Sequence, residues 1–144
     1  VRQVEFVVNG KPEPKGRARF ARIQGHVRTY TPAKTAAYER AVAAAASDAM
    51  AQQPIFVGPV MLQIGIHLPI PESWSKKRRG RAATGEIAAT KKPDADNVLK
   101  AIKDGLNGVV YVDDNQVIDL RVHKRYSDKP CVTVLAIETE LERA

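Results

Sequence analysis

The chain opens with an alternation, Val4-Glu5-Phe6-Val7-Val8, that stops at Asn9-Gly10, a pattern that predicts a strand and a turn. Lys11-Pro12-Glu13-Pro14-Lys15-Gly16 lacks periodicity and holds two prolines, so it reads as irregular. Arg17 to Ile23 alternates basic with apolar residues up to Gln24-Gly25, and Val27-Arg28-Thr29-Tyr30 follows. Together these segments predict an exposed basic hairpin or ordered loop. Thr31 before Pro32 reads as an N-cap with proline at the first helical position. The Ala-rich stretch behind it predicts a helix to about Met50, with Tyr38, Val42 and Ala45 on one face.

Gly58-Pro59 opens the longest strand candidate, Val60 to Leu68, closed by Pro69 and Pro71. Ser73 to Arg79 predicts a short basic helix that fades near Gly80 or Gly85, and residues 80–92 read as mobile. From about Asn97 to Asn107 the stripe Val98, Leu99, Ile102 and Leu106 predicts a helix, with Gly108 as its stop. Val117 to Tyr126 and Cys131 to Thr139 predict two more strands joined by Ser127-Asp128-Lys129-Pro130. The elements are mixed rather than strictly alternating. They predict an α+β fold, one small domain over residues 1–144, with a mixed sheet of about four to five strands and two to three helices.

Composition narrows the class. A chain of 144 residues holds one domain with a core. No apolar run reaches the roughly 18 residues of a spanning helix, and no signal-peptide layout opens the chain, so no membrane partner is expected. Cys131 is the single cysteine; it sits in an apolar alternation and reads as a core residue. One cysteine excludes an internal disulfide framework and a Cys-rich zinc site, and fits a reducing cytoplasm. The net charge of +7 is uneven: residues 11–40 carry eight Lys or Arg against Glu13 and Glu39, and residues 71–92 carry seven against Glu72 and Glu86. Such clustering reads as a footprint for nucleic acid, with a solvated basic face as the plainer alternative.

Against this basic background stand Asp94, Asp96, Asp113 and Asp114. Gathered carboxylates repel one another, so a fold that collects them usually holds a cation. A helix starting at Asp96 behind an extended 92–95 segment would place Asp94 and Asp96 on one side of its start, with Lys100 one turn on and Asp104 a turn further. Asp113 and Asp114 come at the mouth of the next strand, where adjacent side chains diverge and one of the pair is expected to join the site. Mg²⁺ suits such oxygen ligands and assists phosphodiester cleavage, and a nearby lysine can neutralise charge on the phosphate. His26, His67 and His123 are scattered without metal or triad spacing. Asp is also a favoured N-cap and turn residue, so Asp94 or Asp96 could only start the helix and Asp113-Asp114-Asn115 could only turn. A metal-dependent nuclease and a non-catalytic nucleic-acid-binding protein both remain open on these grounds.

The run Lys92-Pro93-Asp94-Ala95-Asp96-Asn97-Val98-Leu99-Lys100, with Asp104-Gly105-Leu106-Asn107-Gly108, Asp113-Asp114-Asn115-Gln116-Val117 and Lys124, resembles the core of the RusA family of Holliday junction resolvases. Gly10-Lys11-Pro12, Pro14 to Arg19, Tyr30-Thr31-Pro32 and Ser73 to Lys77 extend the resemblance over most of the chain. It implies a RusA-like fold and a homodimeric endodeoxyribonuclease, bacterial or phage-encoded and cytoplasmic. Such an enzyme needs Mg²⁺, with Mn²⁺ as an alternative ion, and resolves four-way DNA junctions by paired symmetric nicks in recombination and repair. By position it implies Asp94, Asp96 and Asp114 as catalytic metal ligands, Asp113 as an accessory, Lys100 as the catalytic lysine and Lys124 as a substrate contact. DNA contacts are then expected from Lys15, Arg17, Arg19 and Arg28, and from Lys76, Lys77, Arg78 and Arg79, with Trp74 anchoring the short basic helix. A related nuclease acting on flaps or other branched DNA is the neighbouring alternative.

Overall fold

The computed structural model describes residues 1–16 and 19–144. In chain order its elements are β1 (Arg2–Asn9), β2 (Arg19–Ile23), β3 (His26–Tyr30), α1 (Ala33–Met50), β4 (Val60–Pro69), α2 (Lys76–Ala83), α3 (Ala95–Leu106), β5 (Val117–Ser127) and β6 (Cys131–Glu138), with a 3₁₀ turn at Asp114–Gln116 before β5. Four strands form one sheet in the order β1-β6-β4-β5, and β2 pairs with β3 in a separate hairpin. β1–β6 and β6–β4 are antiparallel, whereas β4–β5 is parallel. This is the α+β fold with a mixed sheet that the element order predicts.

Strict alternation selects the buried face. Val4, Phe6 and Val8 of β1, Val132, Val134 and Ala136 of β6, and Leu62, Ile64 and Ile66 of β4 all join one core. Against them pack Val42 and Ala46 of α1 and Val98, Ile102 and Leu106 of α3, none of them solvent-exposed. Gly105 lets α1 and α3 approach: a Cβ there would lie 2.8 Å from Val42 Cβ and 3.0 Å from the Glu39 carbonyl. Gly10 takes φ +101°, a region that favours glycine, and its N–H reaches the Pro130 carbonyl at 3.1 Å, tying the two turns at one end of β1 and β6.

Two local expectations change and a third is narrowed. Thr31 does not cap α1; Pro32 occupies the cap position with no side-chain cap bond, and Thr35 instead turns inward to accept the Gly16 N–H at 2.9 Å. Of the two expected ends of α2 the structure takes the later: the helix passes Gly80, with Ala82 fully buried, and stops at Ala83, just before Gly85. Residues 84–92 are likewise pinned rather than loose, with Ala89 buried and Ile87 packed against the core.

The parallel β4–β5 pair matters most for function. Parallel neighbours cannot be joined by a tight turn and need a crossover. Residues 70–116 supply it, and they carry α2, α3 and all four candidate aspartates.

Candidate active site

α3 starts at Ala95, so Asp94 takes the cap position with extended backbone, φ −68° and ψ 142°. Its carboxylate nevertheless makes no capping hydrogen bond. The capping reading therefore loses its physical content at Asp94: the side chain stands at a helix start without satisfying an orphan N–H. Asp96 lies in the first turn, where the helix dipole favours a negative charge. Both aspartates are exposed, as is Lys100 four residues on from Asp96. At about 100° per residue Asp96, Lys100 and Lys103 share one face, while Val98, Ile102 and Leu106 point into the core.

The segment before α3 and the first turn of the helix are each held by a distant residue. Lys124 of β5 donates from Nζ to the carbonyls of Lys91 at 2.9 Å and Pro93 at 3.0 Å. In the first turn the Asn97 carbonyl accepts the Lys15 N–H at 2.9 Å. The Lys15 ammonium pairs with Glu39 and, at 3.0 Å, with Asp104. Burial alone would lower the Lys15 pKa, but hydrogen bonds to Glu39 and Asp104 outweigh it and hold it above its ordinary value. Beside Asp94 lies an open cleft of about 510 Å³, lined by Asp94, Asn97 and Glu13 and by Lys11, Lys34 and Lys92, of which Lys34 pairs with Glu13 at 3.4 Å.

The second aspartate pair is built differently. Asp113 caps the 3₁₀ turn, its carboxylate accepting the Asp114 N–H at 2.9 Å. Gln116 completes a capping box by accepting from Asp113 N–H at 3.0 Å, and also accepts from Val112 N–H at 2.8 Å. The Gln116 amide then donates to the carbonyls of Phe56 at 2.9 Å and Gly58 at 3.0 Å. Buried Tyr111 adds a bond from its hydroxyl to the Lys103 carbonyl at 3.3 Å, fixing the turn to the end of α3. Asp114 is left with its carboxylate 3.7 Å from Lys103 Nζ. Lys103 lies seven residues beyond Asp96, about 10 Å along the axis at ~1.5 Å per residue, though its side chain leans back toward the helix start.

The structure thus places Asp94 at the cap and Asp96 in the first turn of α3, both exposed, and holds Asp114 against Lys103. Among the described residues no three His, Cys, Asp or Glu side chains form a group that could hold a metal ion. The donor chemistry at the start of α3 still fits Mg²⁺, which binds through one or two carboxylates completed by waters and substrate phosphate.

The expected DNA contacts divide. Arg28 is exposed on β3, as is Arg22 on β2, while Arg17 lies outside the described residues and the hairpin places Arg19 opposite Tyr30. Lys76 and Lys77 are exposed on α2. Arg78 is exposed as well and stacks over Trp74, 4.0 Å from its ring centroid, and Arg79 donates to the Pro71 carbonyl at 2.8 Å. Trp74 meets Tyr126 edge-on at 5.3 Å, so it anchors α2 to β5. Lys15 and Lys124 have their ammonium groups engaged within the protein. Sequence reading missed Lys11, Lys34 and Lys92 as the flanks of the cleft, and Gln116 as the support of the aspartate turn. Only Gln116 had a legible signal, the Asp-x-x-Gln capping-box spacing.

The fold and site define a basic α+β domain with Asp94, Asp96 and Lys100 exposed at the start of one helix. Comparison with known proteins gives the family. The chain matches the family model of endodeoxyribonuclease RusA over residues 9–137 and belongs to that family, the Holliday junction resolvases, which depend on a divalent metal. It is also similar to the uncharacterized protein YqaN of Bacillus subtilis (strain 168), with 39% identity over 137 residues, 94% of this chain and 96% of that protein.

Proposed function

We propose that this protein is a Mg²⁺-dependent homodimeric endonuclease that resolves four-way DNA junctions by paired symmetric nicks, acting in the cytoplasm in recombination and repair. The observation that carries the reading is the start of α3, where Asp94 makes no capping bond and Asp96 is exposed one turn from Lys100. Asp94 and Asp96 would hold the ion, and Asp114, here paired with Lys103, would be the third carboxylate. Asp113 acts as an accessory by shaping the turn that presents Asp114. Bound Mg²⁺, or Mn²⁺ in its place, supplies charge neutralisation at the phosphate and activation of water. Lys100 lies on the same face and balances negative charge that grows on the phosphate oxygens.

The basic surface delivers the substrate. Lys11, Lys34 and Lys92 flank the cleft beside Asp94, and Lys76, Lys77, Arg22 and Arg28 extend the positive surface along α2 and the hairpin. Each neutralised phosphate releases counterions, so binding weakens steeply with salt. A twofold dimer presents two identical sites to a twofold junction, which suits two symmetric nicks. The test is single-turnover cleavage of junction, flap and duplex DNA in Mg²⁺ at matched concentrations. The junction is expected to be cut fastest, in both opposed strands; faster cutting of the flap would assign the site to other branched DNA.

A further inference from the structure

We propose that Lys124 is a positioning residue for Asp94 rather than a contact to DNA. This rests on the reading of Asp94 as a metal carboxylate and adds a part of the site that the reading does not contain. Asp94 is anchored to α3 through its backbone, its carbonyl accepting the Val98 N–H at 3.2 Å. Its carboxylate is not tied to its own helix, and its backbone is extended, at the end of the irregular segment 91–93. Two carbonyls of that segment, on Lys91 and Pro93, both accept from the Lys124 ammonium, at 2.9 Å and 3.0 Å.

The origin of this clamp is the strand. Lys124 pairs in register with Ile66 of β4, which is fully buried in the core, so its Cα is fixed by the sheet. Its side chain lies on the helix-covered side, and an ammonium has three N–H donors, two of which are spent on carbonyls. Such a group has one donor left for a phosphate, whereas exposed Lys76 and Lys77 are free of any ion pair among the described residues. β5 also begins directly after the turn that carries Asp113 and Asp114. One strand therefore references both halves of the site, Asp114 at its start and Asp94 through Lys124. The ammonium additionally places a positive charge close to the Asp94 backbone, which offsets repulsion between the carboxylate and an arriving phosphate.

Lys124→Met keeps the stem and removes the donors, and Lys124→Arg restores donors at similar reach. Four measurements on the full-length dimeric protein separate the roles: melting temperature, junction affinity without divalent metal at several salt concentrations, single-turnover cleavage across a Mg²⁺ titration, and backbone amide exchange of residues 91–97. Lys124→Met is expected to bind metal-free junction with wild-type affinity and salt slope. It is expected to exchange the 91–97 amides faster, to need more Mg²⁺, and to cleave about 10–100-fold more slowly, with Lys124→Arg regaining much of the loss. A phosphate contact gives the opposite pattern, weaker binding with a salt slope reduced by about one and unchanged amide exchange, and that result overturns the proposal. Should Lys124→Met not fold, Lys124→Gln, which keeps one donor group, carries the same comparison. Failure of the wild-type protein to nick the junction would instead sink the nuclease reading, while the exchange and binding measurements would still report on the clamp.

Discussion

Asp113 accepts the backbone N–H of its neighbour Asp114 at 2.9 Å, and this bond gives two adjacent aspartates different work. Asp113 shapes the turn, while Asp114 faces Lys103. Asp113→Ala should therefore lower stability by about 0.5–2 kcal/mol, as loss of a cap does, and Asp113→Asn should be close to neutral. Asp114→Asn should leave the melting temperature unchanged while junction cleavage is lost. Thermal melts beside a nicking assay check both, and the reverse assignment of effects would exchange the roles of the pair.

Asp114 pairs with Lys103 at 3.7 Å, and in the proposed site it would have to give up that pair to share a metal with Asp96. The Lys103 and Asp114 side chains are 24% and 39% exposed, so the pair contributes about 0–1 kcal/mol after solvent screening. Lys103→Met should lower the Mg²⁺ concentration for half-maximal cleavage by up to about fivefold, the factor that ~1 kcal/mol corresponds to. An unchanged or raised requirement would mean that Asp114 does not exchange Lys103 for the ion.

Gly105 looks in sequence like a mild weakener of α3, and replacing it with alanine should gain helix propensity of about 1 kcal/mol. The packing dictates the opposite sign. A Cβ at Gly105 would sit 2.8 Å from Val42 Cβ and Cγ1 and 3.0 Å from the Glu39 carbonyl, atoms of a helix body that cannot swing aside. Gly105→Ala should destabilise the protein by about 1–3 kcal/mol, read by denaturant titration.

What was legible in the sequence followed from one-sided burial. The alternation in Val60 to Leu68 and Cys131 to Thr139 and the stripe Val98, Ile102 and Leu106 each report a face that the core requires, so these elements appear as their patterns predict. The start of α3 was readable to within a few residues because Pro93 and the acidic pair mark it. Features set by distant partners were not readable. Thr35 rather than Thr31 is the inward hydroxyl because Gly16 arrives there. The choice between Gly80 and Gly85 as the end of α2 was open in sequence because the core that covers Ala82 is absent from the local string Arg-Gly-Arg-Ala-Ala. Lys124 and Lys91 are 33 residues apart, and nothing in either neighbourhood announces their bond.

Glu138 supplies a pH prediction. Burial would raise its pKa, but the N–H groups of Gly58 and Val57 and then the Arg2 guanidinium outweigh burial and hold it below its ordinary value of 4.5. A carboxylate depressed in the folded state contributes stability that is present above the unfolded pKa and lost as pH falls through the folded one. The melting temperature should therefore drop as pH falls below about 4.5. Glu138→Gln should be less stable at pH 7, by about 1.5–3 kcal/mol, and show a shallower decline in that acid window. Equal pH slopes for the two proteins would remove Glu138 as the cause.

The central claim is that the carboxylates at the start of α3 serve a metal rather than the helix. The most direct measurement is nicking of a synthetic four-way junction by wild type and Asp96→Asn in Mg²⁺, with binding of the same junction measured alongside. The account predicts that wild type cuts both opposed strands, and that Asp96→Asn binds as tightly, melts no lower and does not cut. An Asp96→Asn protein that cleaves at the wild-type rate would contradict it.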